Sequence, residues 1–456
     1  MAGVYHLRLK QPGDGDSALH IWRNFWQNVF PVATEISVDG QGLSDRLAAL
    51  ASIGEIEGTD GACRLALTDE DRDGRDLVVT WMRDLGLEIS IDGIGNVTGT
   101  LAGAEPGPPV MCGSHIDTVR TGGRYDGNLG VLAGLQVIEA VQRAGITTRR
   151  PLAVGFFTDE EGSRFPPDML GSLVYTGELP LEEALDIVGT DGAVVGTELD
   201  RIGYRGPAPC PSPPPHAFIE LHIEQGPILD TEDIVIGAVT GVQGISWTEI
   251  TVAGQSNHAG TTPMDMRHDA GWAATRIAVF VHELAEEFGP PQVCTVGRVE
   301  LHPNLVNVVA SDAVLTVDMR NTDDDLLTEA ENRLAAFLEE LAAESGTGIT
   351  SRRLARFAPV EFNPKMIDRV EQAAAELGFS HRRLCSGAGH DAQMFAPVCP
   401  TSMVFVPSWQ GISHNPFEHT EREYLEAGAN VMLRVMLELA EIAEISEVTE
   451  TAGATA

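Results

Sequence analysis

Apolar residues recur at helical spacing in two early segments, LSDRLAALASIG from about residue 42 and DEDRDGRDLVVTWMRDLG over 69–86. The second opens on acidic residues and stops at a glycine, as a helix aligned with its own dipole should. The period then changes. PPVMCGSH (108–115) predicts a buried strand, LGVLAGLQVIEAVQRAG (129–145) a helix with an apolar face, and PLAVGFFT (151–158) a second strand. That order is a βαβ unit, so the chain holds a parallel sheet covered by helices, with ligands gathered beyond the C-terminal strand ends. AFIELHI (217–223) and TSMVFVPS (401–408) predict further strands of this kind, the first preceded by the stiff linker PAPCPSPPPH (207–216).

Between 240 and 357 the texture differs. Alternating segments (ISWTEITVAG, VCTVGRVEL, DAVLTVDMR) are interleaved with helices near 267–287 and 323–344, the pattern of a separate α+β insertion. After Phe362 helices and strands alternate again, and a long helix near 421–444 precedes the polar end TETAGATA. The expected fold is therefore α/β, a mostly parallel sheet flanked by helices. It divides into a discontinuous domain (34–239 plus 358–447) and an inserted α+β domain (240–357), with 1–33 as an N-terminal extension and 448–456 as a flexible tail. The extension carries an aromatic cluster, Trp22, Phe25, Trp26 and Phe30, to which no function attaches.

Composition narrows the function classes. With 456 residues, 43% of them hydrophobic and 21% charged, the chain can bury a large core and is long enough for two domains. Acidic residues number 67 against 30 basic ones, a net charge of -37, and a surface of that sign repels phosphate backbones. Nucleic acid is excluded as a partner, and the absence of a long apolar run excludes a membrane span. No basic segment followed by an apolar stretch opens the chain, and the six cysteines are scattered without a C-x-x-C pair. A soluble, cytoplasmic protein with reduced thiols is expected. The acidity itself reads as solubility or salt tolerance.

Polar residues with chemical potential sit where the predicted strands end. His115 and Asp117 close the first strand, and Asp126 follows in the glycine-rich GGRYDGNLG. Glu160 and Glu161 follow the second strand, His222 lies in ELHIEQG, and His414 in SHNP after the strand at 401–408. Singly, each has a plain alternative: a structural histidine, a solvated acidic loop, a satisfied core histidine. Four such clusters at strand ends make coincidence the poorer explanation. Imidazole and carboxylate without thiolate suit Zn²⁺, Mn²⁺, Co²⁺ or Ni²⁺, and a shared carboxylate suits two metals roughly 3.5–4 Å apart that activate water. Asp117 is placed to orient the His115 ring from behind.

The motifs GSHIDTVRTGGRYDGNLGVLAGL, FFTDEEGSRF, ELHIEQGPILD, GQSNHAGTTPMDMRHDA, SGAGHDAQMF and MVFVPSWQGISHNPFEHT resemble, in order, those of the amidase/hydantoinase/carbamoylase family. That family comprises N-carbamoyl-L-amino-acid hydrolases, β-ureidopropionases and allantoate amidohydrolases, and the likeness runs from about Ile36 to Glu438. The resemblance implies two divalent metal ions per subunit, one held by His115, Asp126 and His222 and the other by Asp126, Glu161 and His414. It implies Glu160 as the general base. It makes the insertion a lid that carries a homodimer interface, with His258 of NHAG stabilising the oxyanion from the partner subunit. Asn307, Arg320, Gln225, Gly389 and His390 are implied to hold the substrate, Arg320 through its carboxylate. By residue type alone, Arg320 is equally a surface ion-pair former and His258 a loop residue.

The implied activity is metal-dependent hydrolysis of the ureido C–N bond of an N-carbamoyl-L-amino acid, a small molecule with a carboxylate and a ureido group. Allantoate amidohydrolase and β-ureidopropionase share the machinery, and the segment RFPPDMLGSLVYTGELP after the EEG motif should help decide among them. A dipeptidase or N-acyl amino-acid hydrolase fits the motifs less well. A binding protein of the same fold would be expected to have lost a ligand or the base, and here none is lost.

Overall fold

The structure is a computed structural model that describes residues 36–445. The expected N-terminal extension (1–33) and tail (448–456) lie outside the described residues. The chain divides after Ser37, and the account that follows concerns the unit beginning at Val38.

In chain order the strands are β1 (Glu88–Ile91), β2 (Val97–Leu101), β3 (Val110–His115), β4 (Ile146–Thr148), β5 (Leu152–Phe157), β6 (Ala217–Ile223), β7 (Ile236–Val242), β8 (Gly244–Ala253), β9 (Val293–His302), β10 (Asp312–Asn321), β11 (Gly348–Phe357), β12 (Val360–Glu361), β13 (His381–Ser386), β14 (Thr401–Val406) and β15 (Ile442–Ile445). The heart of the main sheet is β5-β3-β6-β14, all parallel. β2 and β1 extend one edge antiparallel, and β7, with β12 and β13 beside it, forms the other. Every residue of β3, β5, β6 and β14 is buried, so these strands read as continuous apolar runs rather than alternating ones.

The helix Asn128–Arg143 joins β3 toward β5 and packs on β3, while Arg422–Ala440 packs across β6 and β14. That is the expected βαβ arrangement. The last helix stops short of the predicted 444: Ile442–Ile445 instead pairs antiparallel with β4. Glu441 at the turn takes ion pairs from Arg149 and Arg150, at 3.0 and 2.5 Å, so a tertiary partner overrides helical propensity there.

Residues 244–357 form the second sheet, β11-β8-β10-β9, antiparallel throughout. Helices Ala270–Phe288 and Asp324–Ser345 cover one face, each begun by an aspartate (Asp269, Asp323) that accepts two first-turn N–H groups. β10 alternates buried and part-exposed positions, and its inward residues meet Ile277, Leu334 and the stacked pair Phe280–Phe337. The other face carries Val293, which is 51% exposed.

Candidate active site

Four loops at the C-terminal ends of parallel strands converge. β3 ends on His115, β5 runs into Thr158-Asp159-Glu160-Glu161, β6 carries His222 one residue before its end, and the loop after β14 brings His414. Asp126 comes from the turn that opens the helix Asn128–Arg143. Its carboxylate is the centre: Oδ1 lies 3.6 Å from His115 Nε2 and 3.2 Å from His222 Nε2, and Oδ2 lies 3.5 Å from His414 Nε2. His414 Nε2 is 3.3 Å from Glu161 Oε2, and His115 Nε2 is 3.4 Å from Glu160 Oε2. Among the described residues three groups could each hold a metal ion: His115-Asp126-His222 and Asp126-Glu161-His414, which share Asp126, and Glu220-His222-His390, which shares His222 with the first.

Backbone groups prepare the histidines. His115 Nδ1 is 3.0 Å from the Asp117 carbonyl and His222 Nδ1 is 2.9 Å from the Ile223 carbonyl. A carbonyl only accepts, so both rings carry their proton on Nδ1 and turn Nε2 toward Asp126. The Gly127 N–H donates to His222 Nε2 at 3.0 Å, which marks that nitrogen as the lone-pair side. Asp117 works in two ways: its carbonyl fixes His115, and its carboxylate accepts the N–H groups of Glu160 and Glu161 at 3.2 and 3.3 Å. Gly127 has φ +66°, and a Cβ there would fall 2.4 Å from the His115 ring. Left-handed backbone at Asp159, Gln225 and His414 is concentrated at the same place.

The donor set fits a cation on electrostatic grounds. Burial first, then the charges of Asp391, Glu161 and Asp117, push the Glu160 carboxyl well above its usual range against the pull of His115. Burial and Asp126 do the same to Glu161. Burial opposes ionisation of Asp126 too, but the His115 and His222 rings beside it outweigh that and hold the carboxyl well below normal. Burial disfavours the His115 imidazolium, yet Glu160, Asp126 and Asp117 raise its pKa well above the ordinary value. Burial thus disfavours ionisation of Glu160 and Glu161 in this cluster, a cost that divalent cations would offset.

The cleft over these groups is also lined by Gln225, Arg320, Gly389 and Trp247. Gln225 Nε2 donates to Asp126 Oδ2 at 2.9 Å. Arg320 arrives from the second sheet, bound to Asp318 through Nε (3.1 Å) and Nη2 (2.8 Å), and its Nη1 donates to the Gly387 carbonyl at 2.5 Å. It therefore ties the two sheets together. His390 touches the cleft but is 1% exposed, with its ring 4.6 Å from that of His222 and Nε2 2.9 Å from Ser386 Oγ.

Residues 111–438 match the peptidase family M20/M25/M40. Over 405 residues the chain is 42% identical to an N-carbamoyl-L-amino-acid amidohydrolase of Rhizobium meliloti, an alignment covering 88% of this chain and 97% of that one. The chain belongs to the peptidase M20/M25/M40 family. It is also 36% identical to the allantoate amidohydrolase of Escherichia coli over 403 residues, 88% of this chain and 98% of the other. A crystal structure of an amidase of the hydantoinase/carbamoylase family from Burkholderia multivorans superimposes with a TM-score of 0.86 at 45% identity, covering 89% and 98% of the two chains. As an M20 member the chain is a hydrolase, and no helix among its described residues is long and apolar enough to cross a membrane.

Within this M20 chain, His258 and Asn307 do not line the cleft. They are neighbours elsewhere: His258 bridges to Val308, and the Ala259 N–H donates to the Asn307 carbonyl at 3.0 Å, both residues being exposed. Residue patterns had not singled out several buried groups beside the donors. Glu220 accepts from Ser114 Oγ at 2.6 Å and from the Ala392 N–H at 2.8 Å, under His222. Glu418 accepts from Tyr125 and Asp126, and Asp391 is wholly buried. Buried Arg64 holds the Ile116 carbonyl at 2.7 Å and Asn128 Oδ1 at 2.8 Å, steadying both ends of the loop that carries Asp126. Glu220 lies two positions from His222 on the same strand and Glu418 four from His414, so sequence proximity was the available signal.

Proposed function

We propose that the chain hydrolyses carbon–nitrogen bonds other than peptide bonds, specifically the ureido bond of N-carbamoyl-L-amino acids, giving amino acid, ammonia and carbon dioxide. The observation that carries this reading is the pair of donor groups sharing Asp126, with Glu160 beside them and Arg320 in the same cleft. The name of the Rhizobium meliloti relative supports the substrate class. Two divalent cations (Zn²⁺, Mn²⁺, Co²⁺ or Ni²⁺), when bound, supply the Lewis acidity that makes water a nucleophile at neutral pH and polarises the ureido carbonyl.

The chain's own groups do the rest. Glu160, its pKa raised by burial, takes the proton of the attacking water and passes it to the leaving nitrogen. Arg320 orients the substrate carboxylate, with Gln225, Gly389 and Asn307 as further polar contacts, and His390 backs the His222 ring. His258 stabilises the oxyanion from a second copy of the chain, which accounts for its distance from its own cleft. A homodimer through residues 240–357 draws support from the exposed apolar residues there, Met264, Val299 and Val306 among them. In this reading that segment is a lid over the discontinuous catalytic domain of 34–239 plus 358–447.

The test is turnover by metal-loaded protein of N-carbamoyl-L-amino acids, N-carbamoyl-β-alanine and allantoate, with each of the four cations. The first class should be cleaved best. Preference for allantoate would move the chain to the activity named for its Escherichia coli relative, and a loaded protein that cleaves none of the three overturns the reading.

A further inference from the structure

Asp168 stands in the segment RFPPDMLGS and lines the cleft together with Gln225, Trp247 and Arg320. Of the four carboxylates in the cleft wall, Asp126 and Glu161 belong to the donor groups and Glu160 stands against His115. Asp168 belongs to none of these, and no other described residue donates a hydrogen bond to its side chain. It sits beside the substrate-facing glycine: a Cβ on Gly389 would fall 3.8 Å from Asp168 Oδ2. The Arg320 charge is near enough to lower its pKa, although burial outweighs that and leaves it raised.

Gln225 and Trp247 line the same cleft. Gln225 gives its amide N–H to Asp126, so its Oε1 is left as an acceptor, and that oxygen is buried without a partner. Trp247, on β8 across from Asp318 of β10, adds an aromatic ring to the lining on the same sheet as Arg320. The cleft opens to solvent, and its empty space of about 620 Å³ counts part of that opening. A carboxylate to which no other described residue donates a hydrogen bond makes this part of the cleft wall a place for a donor group. Arg320, on the second sheet, suits the α-carboxylate.

We propose that Asp168 determines specificity, selecting N-carbamoyl-L-amino acids whose side chain ends in a cation. This deepens the functional reading above and rests on it. An aliphatic side chain would strip water from Asp168 and return nothing, whereas an ammonium pairs with it; a charge-assisted contact of this kind is worth on the order of ten- to a hundredfold in discrimination. The substrate then lies with its carboxylate toward Arg320 and its side-chain cation toward Asp168.

The experiment compares kcat/KM for N-carbamoyl-L-lysine and the nearly isosteric, uncharged N-carbamoyl-L-norleucine, using the full-length, metal-loaded protein. The wild type should favour the lysine derivative by about tenfold or more. Asp168→Asn should bring that ratio down by a similar factor, and Asp168→Glu should restore part of it. A wild-type ratio near one overturns the inference alone, as does an Asp168→Asn protein that loses rate on both substrates with the ratio unmoved, which would make Asp168 a partner of Arg320 or a structural group. If the wild type cleaves neither derivative, the functional reading falls and this inference with it.

Discussion

The Glu418 carboxylate fixes the backbone of Asp126, accepting its N–H at 3.2 Å and that of Tyr125 at 2.9 Å through one oxygen. The other oxygen, Oε2, is buried without a hydrogen-bond partner. Asp126 is the residue both donor groups share, so Glu418 sets the position of the whole cluster without entering it. Glu418→Gln keeps the shape but can turn an N–H toward those donors. Metal affinity, measured by competition with a chelator, should fall by about 10- to 100-fold while the circular dichroism of the fold persists. Unchanged affinity would show that the backbone of Asp126 needs no such clamp.

Glu160→Gln separates the proposed base from the proposed metal donors. The substitution keeps volume and removes the proton acceptor, so kcat should drop by about 10²–10⁴-fold. Metal content by elemental analysis should stay at the wild-type level, because His115, Asp126, Glu161, His222 and His414 are intact. Retained turnover would reassign the proton transfer to another group.

The cation-free protein should become less stable as pH rises. Burial pushes the Asp92 carboxyl up to about 6 and, with Asp126 beside it, that of Glu418 up to about 8. Both are higher folded than unfolded, so the stability they contribute is complete below about pH 4 and is lost as pH rises through 6 and then 8. Asp159, Glu160 and Glu161 shift in the same direction, whereas Asp126, held low, affects stability only at more acid pH. Chelated protein should therefore melt lower at pH 8.5 than at pH 6, and cation loading should narrow the gap. A higher melting temperature at pH 8.5 without cations would contradict the account.

Gly127 admits no side chain. Alanine there would meet the His115 ring at 2.4 Å and carry a φ of +66° that suits glycine. Gly127→Ala should lower metal content and activity together, and a crystal structure or histidine NMR should show the His115 ring displaced. A variant that binds metal like the wild type would mean the turn can give way.

Arg320 offers a fork whose arms are already engaged by Asp318 and the Gly387 carbonyl. Lysine keeps the charge but cannot hold both and grip a carboxylate bidentately. Arg320→Lys should reduce kcat/KM by about 10- to 100-fold with metal content unchanged. A near-wild-type rate would place the substrate carboxylate elsewhere.

Most of the donor residues were legible because they end or follow an apolar run, and a polar residue at the end of a buried parallel strand has a known place, whereas Asp126 stands in the glycine-rich stretch after β3. The second sheet was legible from alternation, most clearly in β10, where one face meets helices and the other does not. Glu220 was not, since every position of β6 is buried and no period separates its faces. Glu418 escaped for another reason: its partners lie 292 and 293 residues away. The segment Ile442–Ile445 could continue a helix by local propensity and becomes a strand only because β4 is there to pair with it. His258 was legible as a motif residue and Asn307 only through the family resemblance, yet one chain does not bring them to the cleft.

The order in which the chain is made has a bearing on how the cluster can fill. The group His115-Asp126-His222 is complete once residue 222 exists, but the group Asp126-Glu161-His414 is absent from any fragment that ends earlier than 414. His414 follows β14, the strand that enters the main sheet between β6 and β7 after the whole 244–357 segment has intervened. During synthesis the capacity for a second cation is therefore gained only with the last parallel strand, in the same step that joins β7 to β6 through their shared neighbour.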